Sequence, residues 1–182
     1  MFLYIRDMAY GTTKPNRVSF FLWALAPIVG ALISFSQGAR WSVIPVLLAG
    51  LGPVLILAAS FIVKQGYWKL SALDYVCGAL ALTTFFIWLV AKDPGLALGF
   101  AIATDLLAYI PTMVKVYTHP ETETSWAYIL PTFGNMVGLL ILKEWHFTHY
   151  GFSMYLIGAN TLCVCLIYRK KLYALFRYFS RI

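Results

Sequence analysis

Charged residues are scarce in this sequence. They make up 12% of its 182 residues, whereas hydrophobic residues make up 61%. Soluble domains have about 25% charged and about 45–50% apolar residues. One domain of this length cannot bury so much apolar surface, and so few charges cannot keep the remainder in water. The composition excludes an ordinary soluble domain and indicates a protein that is solvated by lipid.

Acidic residues are the rarer of the two charged classes. Seven Asp and Glu residues stand against 14 Lys and Arg, for a net charge of +7. In a soluble chain this balance would suggest nucleic-acid binding. In membrane proteins, basic residues concentrate in cytoplasmic loops and contact anionic headgroups. We therefore expect the lipid bilayer as a partner, and no nucleic acid.

Residues that bind metals or form disulfides are also few. The chain has three cysteines, and Cys163 and Cys165 are two positions apart on a predicted helix, so they point to different sides. On an outer loop, Glu144, His146 and His149 have no fixed geometry for a metal. A lipid-modifying enzyme would need a convergent set of acids, bases or metal ligands at the membrane interface, and none is evident. We expect no metal, no bound cofactor and no enzymatic activity.

Six long apolar runs dominate the rest of the chain. Each has about the 20 residues that a helix needs to cross a bilayer, and Gly, Pro or charged residues separate them. They lie at 18–36, 41–62, 72–91, 96–116, 124–142 and 150–168. The first ten residues form an apolar segment of about half that length, which predicts a shortened first helix. Asp74 lies in the first turn of its helix, where we expect it to act as a cap.

An internal repeat organises these runs. A shift of 105 positions aligns Tyr109-Ile110 with Tyr4-Ile5, Met113 with Met8, Thr118 with Thr13 and Pro120 with Pro15. The same shift places the run at 124–142 over 18–36 and the run at 150–168 over 41–62. Two units of three helices follow, and one helix is left over between them.

The predicted fold is an all-α polytopic membrane bundle in a 3+1+3 arrangement. A first unit at 1–62 has an incomplete first helix, a linker helix lies at 63–94, a second unit lies at 95–168, and 169–182 is a basic amphipathic tail on the membrane surface. Because the linker is a single helix, both units run in the same direction across the membrane. Basic residues concentrate on the side of the tail, which predicts a multi-pass protein of the plasma or inner membrane with its N-terminus outside and its C-terminus cytoplasmic.

The polar segments that separate the apolar runs in the two repeats, here called the repeated breaks, resemble the pattern of a known family. Thr13 to Asn16 reads Thr-Lys-Pro-Asn, Thr118 to Glu123 reads Thr-His-Pro-Glu-Thr-Glu, and Tyr109 to Lys115 reads Tyr-Ile-Pro-Thr-Met-Val-Lys. This is similar to the PQ-loop pattern, with Pro111 at the position of its proline and Thr112 where the glutamine would be. The 3+1+3 arrangement resembles the SWEET and PQ-loop transporter superfamily. The resemblance implies transport of a small polar solute, sugar-like or another metabolite, by alternating access.

Asp105 is the most informative candidate site residue. It lies about ten residues from either end of its helix, at a depth where a carboxylate costs about 2.5–3.5 kcal/mol. Tyr109 shares its face, and Pro111 leaves the carbonyl of Leu107 without its helical partner, which predicts a hinge. We interpret Asp105 as a proton-coupling or solute-binding group; the alternative is a neutral side chain bonded to a neighbouring helix. Lys115, near the end of this helix, is expected to extend to the cytoplasmic surface.

Other candidates lie in the following helices. Asn135 and Asn160 stand near mid-depth, and the family resemblance implies that they line the solute site; the alternative is a hydrogen bond between helices. Trp126 could stack on a solute or belong to the aromatic belt at the interface. Pro27 and Pro131 are candidate hinges, with static kinks as the alternative.

Small residues favour close helix contact. Gly95-x-x-x-Gly99 and Gly134-x-x-x-Gly138 predict packing inside the chain or a homo-oligomer.

Two other functions remain beside transport: a non-catalytic membrane subunit or scaffold, and, third, a membrane-embedded lipid-modifying enzyme.

Overall fold

The computed structural model describes residues 2–36, 44–63 and 67–179, and these ranges are helical apart from short connections. The helices are α1 (Phe2–Ala9), α2 (Arg17–Ser36), α3 (Ile44–Ile62), α4 (Ala72–Val90), α5 (Pro94–Thr118), α6 (Trp126–Leu140) and α7 (Phe147–Phe179), and a 3-10 turn lies at Pro120–Thr122. The all-α class is confirmed. The predicted start of the second full helix, at residue 41, lies outside the described residues.

Three helices are long and apolar enough to cross a membrane. Among the described residues these are Ala72–Val90, Pro94–Thr118 and Phe147–Lys170, and two shorter apolar helices lie at Arg17–Leu32 and Val46–Ile62. The 15 residues of α6 extend over about 22 Å, which is less than the hydrocarbon core of about 30 Å. A membrane protein is therefore supported, with three candidate spans where the sequence predicted six.

Side-chain caps explain where two of these helices begin. The Ser71 amide and hydroxyl donate to Asp74 Oδ2, at 2.5 and 2.6 Å, which completes a capping box at the start of α4 and confirms the predicted cap. The buried Asn16 amide donates to the other oxygen of Asp74, so the start of α2 is joined to the start of α4. At α5, Asp93 Oδ1 accepts from the Leu96 amide at 2.8 Å.

The helix contacts are described for two groups that the sequence repeat defines: the first group is α1 to α3, the second group is α5 to α7, and α4 connects them in the chain. In the first group α3 contacts both α1 and α2, and in the second α7 contacts both α5 and α6. The two groups meet where α2 packs on α5 and α1 on α6, and α4 lies along α5 and also contacts α2. The 3+1+3 arrangement stays a prediction.

The C-terminal segment differs from its prediction. We expected the chain from residue 169 to form a separate surface helix, but α7 continues without a break to Phe179. The physical reason is that this segment contains neither glycine nor proline. In addition, the Arg169 guanidinium donates to the Val116 carbonyl at 3.2 Å and lies 5.0 Å from the centre of the Tyr117 ring, so the charged residue is held against the end of α5.

Candidate functional site

A cavity of about 1060 Å³ lies inside the helical bundle, and helices α1 to α7 all contribute to its wall. Most of the lining is aliphatic or aromatic, and polar side chains are few. Seven of the eight residues singled out in the sequence line it: Pro27, Asp105, Tyr109, Trp126, Pro131, Asn135 and Asn160. Pro111 is buried and is not part of the lining. Residues distant in sequence therefore converge on one internal space.

Asp105 forms a hydrogen bond with a residue that the sequence did not single out. The hydroxyl of Tyr155, on α7, donates to Asp105 Oδ2 at 2.9 Å. Both side chains are half-buried. A hydroxyl donor stabilises the charged form of a carboxylate, and among the described residues no donor reaches the other carboxylate oxygen, which can accept from a solute. The only sequence signal for Tyr155 is its mid-helix position five residues before Asn160.

A second hydrogen bond joins the same two helices. The Tyr109 hydroxyl donates to Asn160 Oδ1 at 2.7 Å, and both residues are buried. The Asn160 amide nitrogen makes no hydrogen bond within the described residues, so it remains a donor for a solute. Trp23 packs on the Tyr109 ring with 4.6 Å between ring centroids. This wall of the cavity thus alternates polar groups with aromatic faces.

Asn135 and Trp126 lie on α6 and line the cavity without joining these hydrogen bonds. The Asn135 amide donates to the Pro131 carbonyl one turn earlier, at 2.8 Å, and its side-chain oxygen has no donor in the part of the chain that the structure describes. Trp126 is 50% exposed. That exposure suits either predicted role for Trp126, because its ring reaches both the cavity wall and the outer surface.

The proline of α5 lies beside a hydroxyl contact that was not predicted. The Ser19 hydroxyl of α2 donates to the Ala108 carbonyl at 2.6 Å, and the Thr112 hydroxyl donates to Ser19 Oγ at 2.9 Å. Pro111 therefore stands in a turn of α5 whose polar groups bond to the other group of helices. By the repeat, Ser19 corresponds to Thr124, which was the signal available in the sequence.

Lys115 does not extend to the surface as expected, because its partners lie inside the protein. Its side chain is fully buried and forms an ion pair with Glu123, whose side chain is equally buried. The Lys115 ammonium also donates to the Lys14 carbonyl, and the Lys14 amide donates to the Thr122 carbonyl at 2.9 Å. The two repeated breaks are thus bonded directly to each other at one end of the cavity, which we call the Lys115 end.

Metal ligands and glycines add little to this site. Among the described residues, no group of three or more His, Cys, Asp or Glu side chains could hold a metal ion. A Cβ atom added at Gly99, Gly134 or Gly138 would meet no atom within 4 Å. The predicted contact between copies through these faces stays a prediction.

A scan against protein-family models, a search of curated proteins and a search of solved structures each found no match to this chain.

Proposed function

We propose that the protein is an integral membrane transporter or facilitator that moves a small solute by alternating access between its two groups of helices. The observation that carries this proposal is the cavity of about 1060 Å³ inside the helical bundle, because its wall combines a largely apolar surface with a few converging polar side chains. Ligand sites in proteins have this composition and a volume of about 300–1,000 Å³.

The packing of the helices supports the 3+1+3 arrangement within this proposal. Each group places its third helix between the other two, and α4 is the helix left over. Rocking of one group against the other would open the cavity alternately to each side, as in transporters built from parallel repeats. The sequence resemblance to SWEET and PQ-loop transporters implies the same mechanism, so we make kinship with that superfamily part of this proposal.

The polar side chains suggest how a solute is held. Asp105 offers a carboxylate oxygen, Asn160 an amide donor and Asn135 an amide oxygen, while Trp23 and Tyr109 offer aromatic faces. A solute with an apolar body and a few hydroxyl or amine groups matches this set. Asp105 could also bind a proton in one state and release it in the other, which would couple transport to a pH gradient.

We further propose that the Lys115 end faces the cytoplasm of a cell whose plasma or inner membrane holds the protein. The ends of α1, α3, α5 and α7 and the starts of α2, α4 and α6 lie at this end if each helix crosses once. The basic residues Lys14, Arg17, Lys69, Lys115 and Arg169 all belong to it. Cytoplasmic segments are enriched in such residues, which supports an outside N-terminus.

Uptake into proteoliposomes tests the transport proposal. We would measure a panel of sugars, amino acids and vitamins, with and without a pH gradient, for the wild type, for Asp105→Asn and for Asp93→Asn as the matched control. Asp93 is exposed and caps α5, a role that Asn also fills. We expect uptake of at least one solute and loss of its pH dependence only in Asp105→Asn. If the wild type moves no solute in any condition, the transport proposal fails.

A non-catalytic membrane subunit or scaffold is the second candidate. The open glycine face of α6, at Gly134 and Gly138, favours it, because a partner helix could approach closely there. Replacing both glycines with Leu should block a partner helix without disturbing contacts inside the chain. If native gels in mild detergent show the same assembly for the wild type and for the variant with both glycines replaced by Leu, this face does not hold a partner.

A further inference from the structure

Three polar atoms at the Lys115 end lack hydrogen-bond partners. Within the described residues, the hydroxyls of Tyr4 and Tyr128 and the Oε1 atom of Glu123 are buried and unpaired. The residues are 2%, 2% and 7% exposed. More than about nine in ten buried polar groups in proteins have a partner, so three unpaired atoms in one place need an explanation.

The three atoms form one cluster. The Glu123 carboxylate interacts electrostatically with both hydroxyls, and the Tyr4 hydroxyl is also within reach of a weak hydrogen bond to it. Tyr4 belongs to α1 of the first group. Tyr128 belongs to α6 of the second group, and Glu123 lies three residues before the start of α6. Both tyrosine rings line the cavity. The cluster therefore lies directly behind the cavity wall, where the two groups of helices meet.

The charges at this place restrict what could bind. Lys115 already balances the charge of Glu123 through the Oε2 atom and also donates to the Lys14 carbonyl. A second cation would be repelled by the Lys115 ammonium, and an anion would face a carboxylate oxygen. A neutral hydroxyl avoids both conflicts, because it can donate to Glu123 Oε1 and accept from a tyrosine hydroxyl.

We propose that Tyr4, Tyr128 and Glu123 form a second solute subsite, which takes a neutral hydroxyl group while the apolar body of the solute lies against the aromatic wall of the cavity. This inference rests on the proposed transport function and narrows its solute class to neutral alcohols or phenols with an apolar body. The three atoms are buried. A hydroxyl enters only when α1 and α6 separate, so its binding favours the state that is open at the Lys115 end.

Binding of two matched probes tests the subsite. The probes are 4-ethylphenol and 4-ethyltoluene, in which the hydroxyl is replaced by a methyl of similar size and no other hydroxyl is present. We would titrate each by calorimetry into the full chain in lipid nanodiscs and subtract its partition into empty nanodiscs. Because one added hydrogen bond contributes about tenfold in affinity, we expect the hydroxyl probe to bind about tenfold more tightly than the methyl probe.

The variants Tyr4→Phe and Tyr128→Phe are each expected to reduce this ratio to near one. Each change removes a hydroxyl without a partner, so both chains should fold, as size exclusion and circular dichroism would check. Tyr10→Phe is the matched control, since Tyr10 is 76% exposed just beyond the end of α1. It should keep the tenfold ratio.

Two outcomes would overturn the subsite. Equal affinities for the two probes in the wild type, or failure of both to bind, would show that the site takes no solute hydroxyl; lower thermal stability of the Phe variants would then identify a trapped water as the partner. If Tyr4→Phe and Tyr128→Phe keep the tenfold ratio of probe affinities, the probe hydroxyl binds elsewhere in the protein. Failure of transport is a separate result, because probe selectivity is measured at equilibrium and does not require uptake.

Discussion

Breaking the buried ion pair between Lys115 and Glu123 is expected to destabilise the protein strongly. Both side chains are fully buried, and the pair joins the two repeated breaks through the Lys14 carbonyl. The change Glu123→Gln keeps the size of the side chain and leaves the Lys115 ammonium charged and unpaired. Removing one partner of a buried pair costs about 3–5 kcal/mol. At about 2–4 °C per kcal/mol for a chain of this length, the unfolding temperature should fall by about 6–20 °C.

Thermal unfolding with a thiol-reactive fluorophore measures this effect. Cys77 and Cys163 are buried and become reactive on unfolding, whereas the exposed Cys165 would be replaced with Ser in every chain. The double variant Lys115→Met with Glu123→Gln leaves neither side chain of this pair charged, so it should recover at least half of the loss.

The matched control is Glu121→Gln, which makes the same chemical change at an exposed position two residues earlier. It should shift the unfolding temperature by less than about 2 °C, since surface substitutions usually change stability by less than about 0.5 kcal/mol. The reasoning is refuted if Glu123→Gln behaves like this control, or if the double variant is less stable than the single one.

Three further changes test other parts of the structure. Asp105→Asn should abolish any pH dependence of uptake and leave the unfolding temperature unchanged or higher, because it removes a carboxylate that costs about 2.5–3.5 kcal/mol at mid-membrane. Ser19→Ala should lower the free energy of unfolding by about 1–2 kcal/mol, since the Ala108 carbonyl loses its donor; the fluorophore assay measures it. Gly50→Ala should cost about 1–3 kcal/mol, because its Cβ would lie 2.8 Å from a side-chain carbon of α2, whereas Gly138→Ala should change stability by less than about 1 kcal/mol.

Each of these expectations has an outcome that contradicts it. Unchanged pH dependence in Asp105→Asn would remove this residue from coupling. A Ser19→Ala chain as stable as the wild type would show that the contact between α2 and α5 contributes no net energy. Equal stability of Gly50→Ala and Gly138→Ala would contradict the close packing of α2 on α3.

Helix positions follow from the sequence where apolar length and caps agree. The run at 72–91 corresponds to α4 at Ala72–Val90, since Ser71 and Asp74 are sequence-local signals for its start. The end of α7 could not be placed in this way. A basic residue such as Arg169 looks like a break, and only the carbonyl of Val116 on another helix explains why the residue stays helical.

The residues of the candidate site could likewise be predicted from the sequence only in part. Asp105 and Asn160 were identified from their depth, which depends only on counting along a helix. Their partners Tyr155 and Tyr109 depend on how α5 is rotated against α7, and a single sequence does not encode that rotation in any local pattern. Lys115 was misjudged for a related reason, because its partner Glu123 lies in a break that reads as an exposed polar loop.

The contact of Arg169 with the end of α5 also fixes the position of α7 along the length of α5. Arg169 is nine residues after Asn160 on one uninterrupted helix, so the two side chains are separated by about 13 Å along its axis. Because the guanidinium is tied to Val116 and Tyr117, α7 cannot slide past α5 without losing that contact. In the proposed membrane orientation, a guanidinium at the headgroup level would place the Asn160 amide near the middle of the hydrocarbon layer. Sliding by one turn, about 5.4 Å, would separate Tyr109 from Asn160 and Tyr155 from Asp105 together.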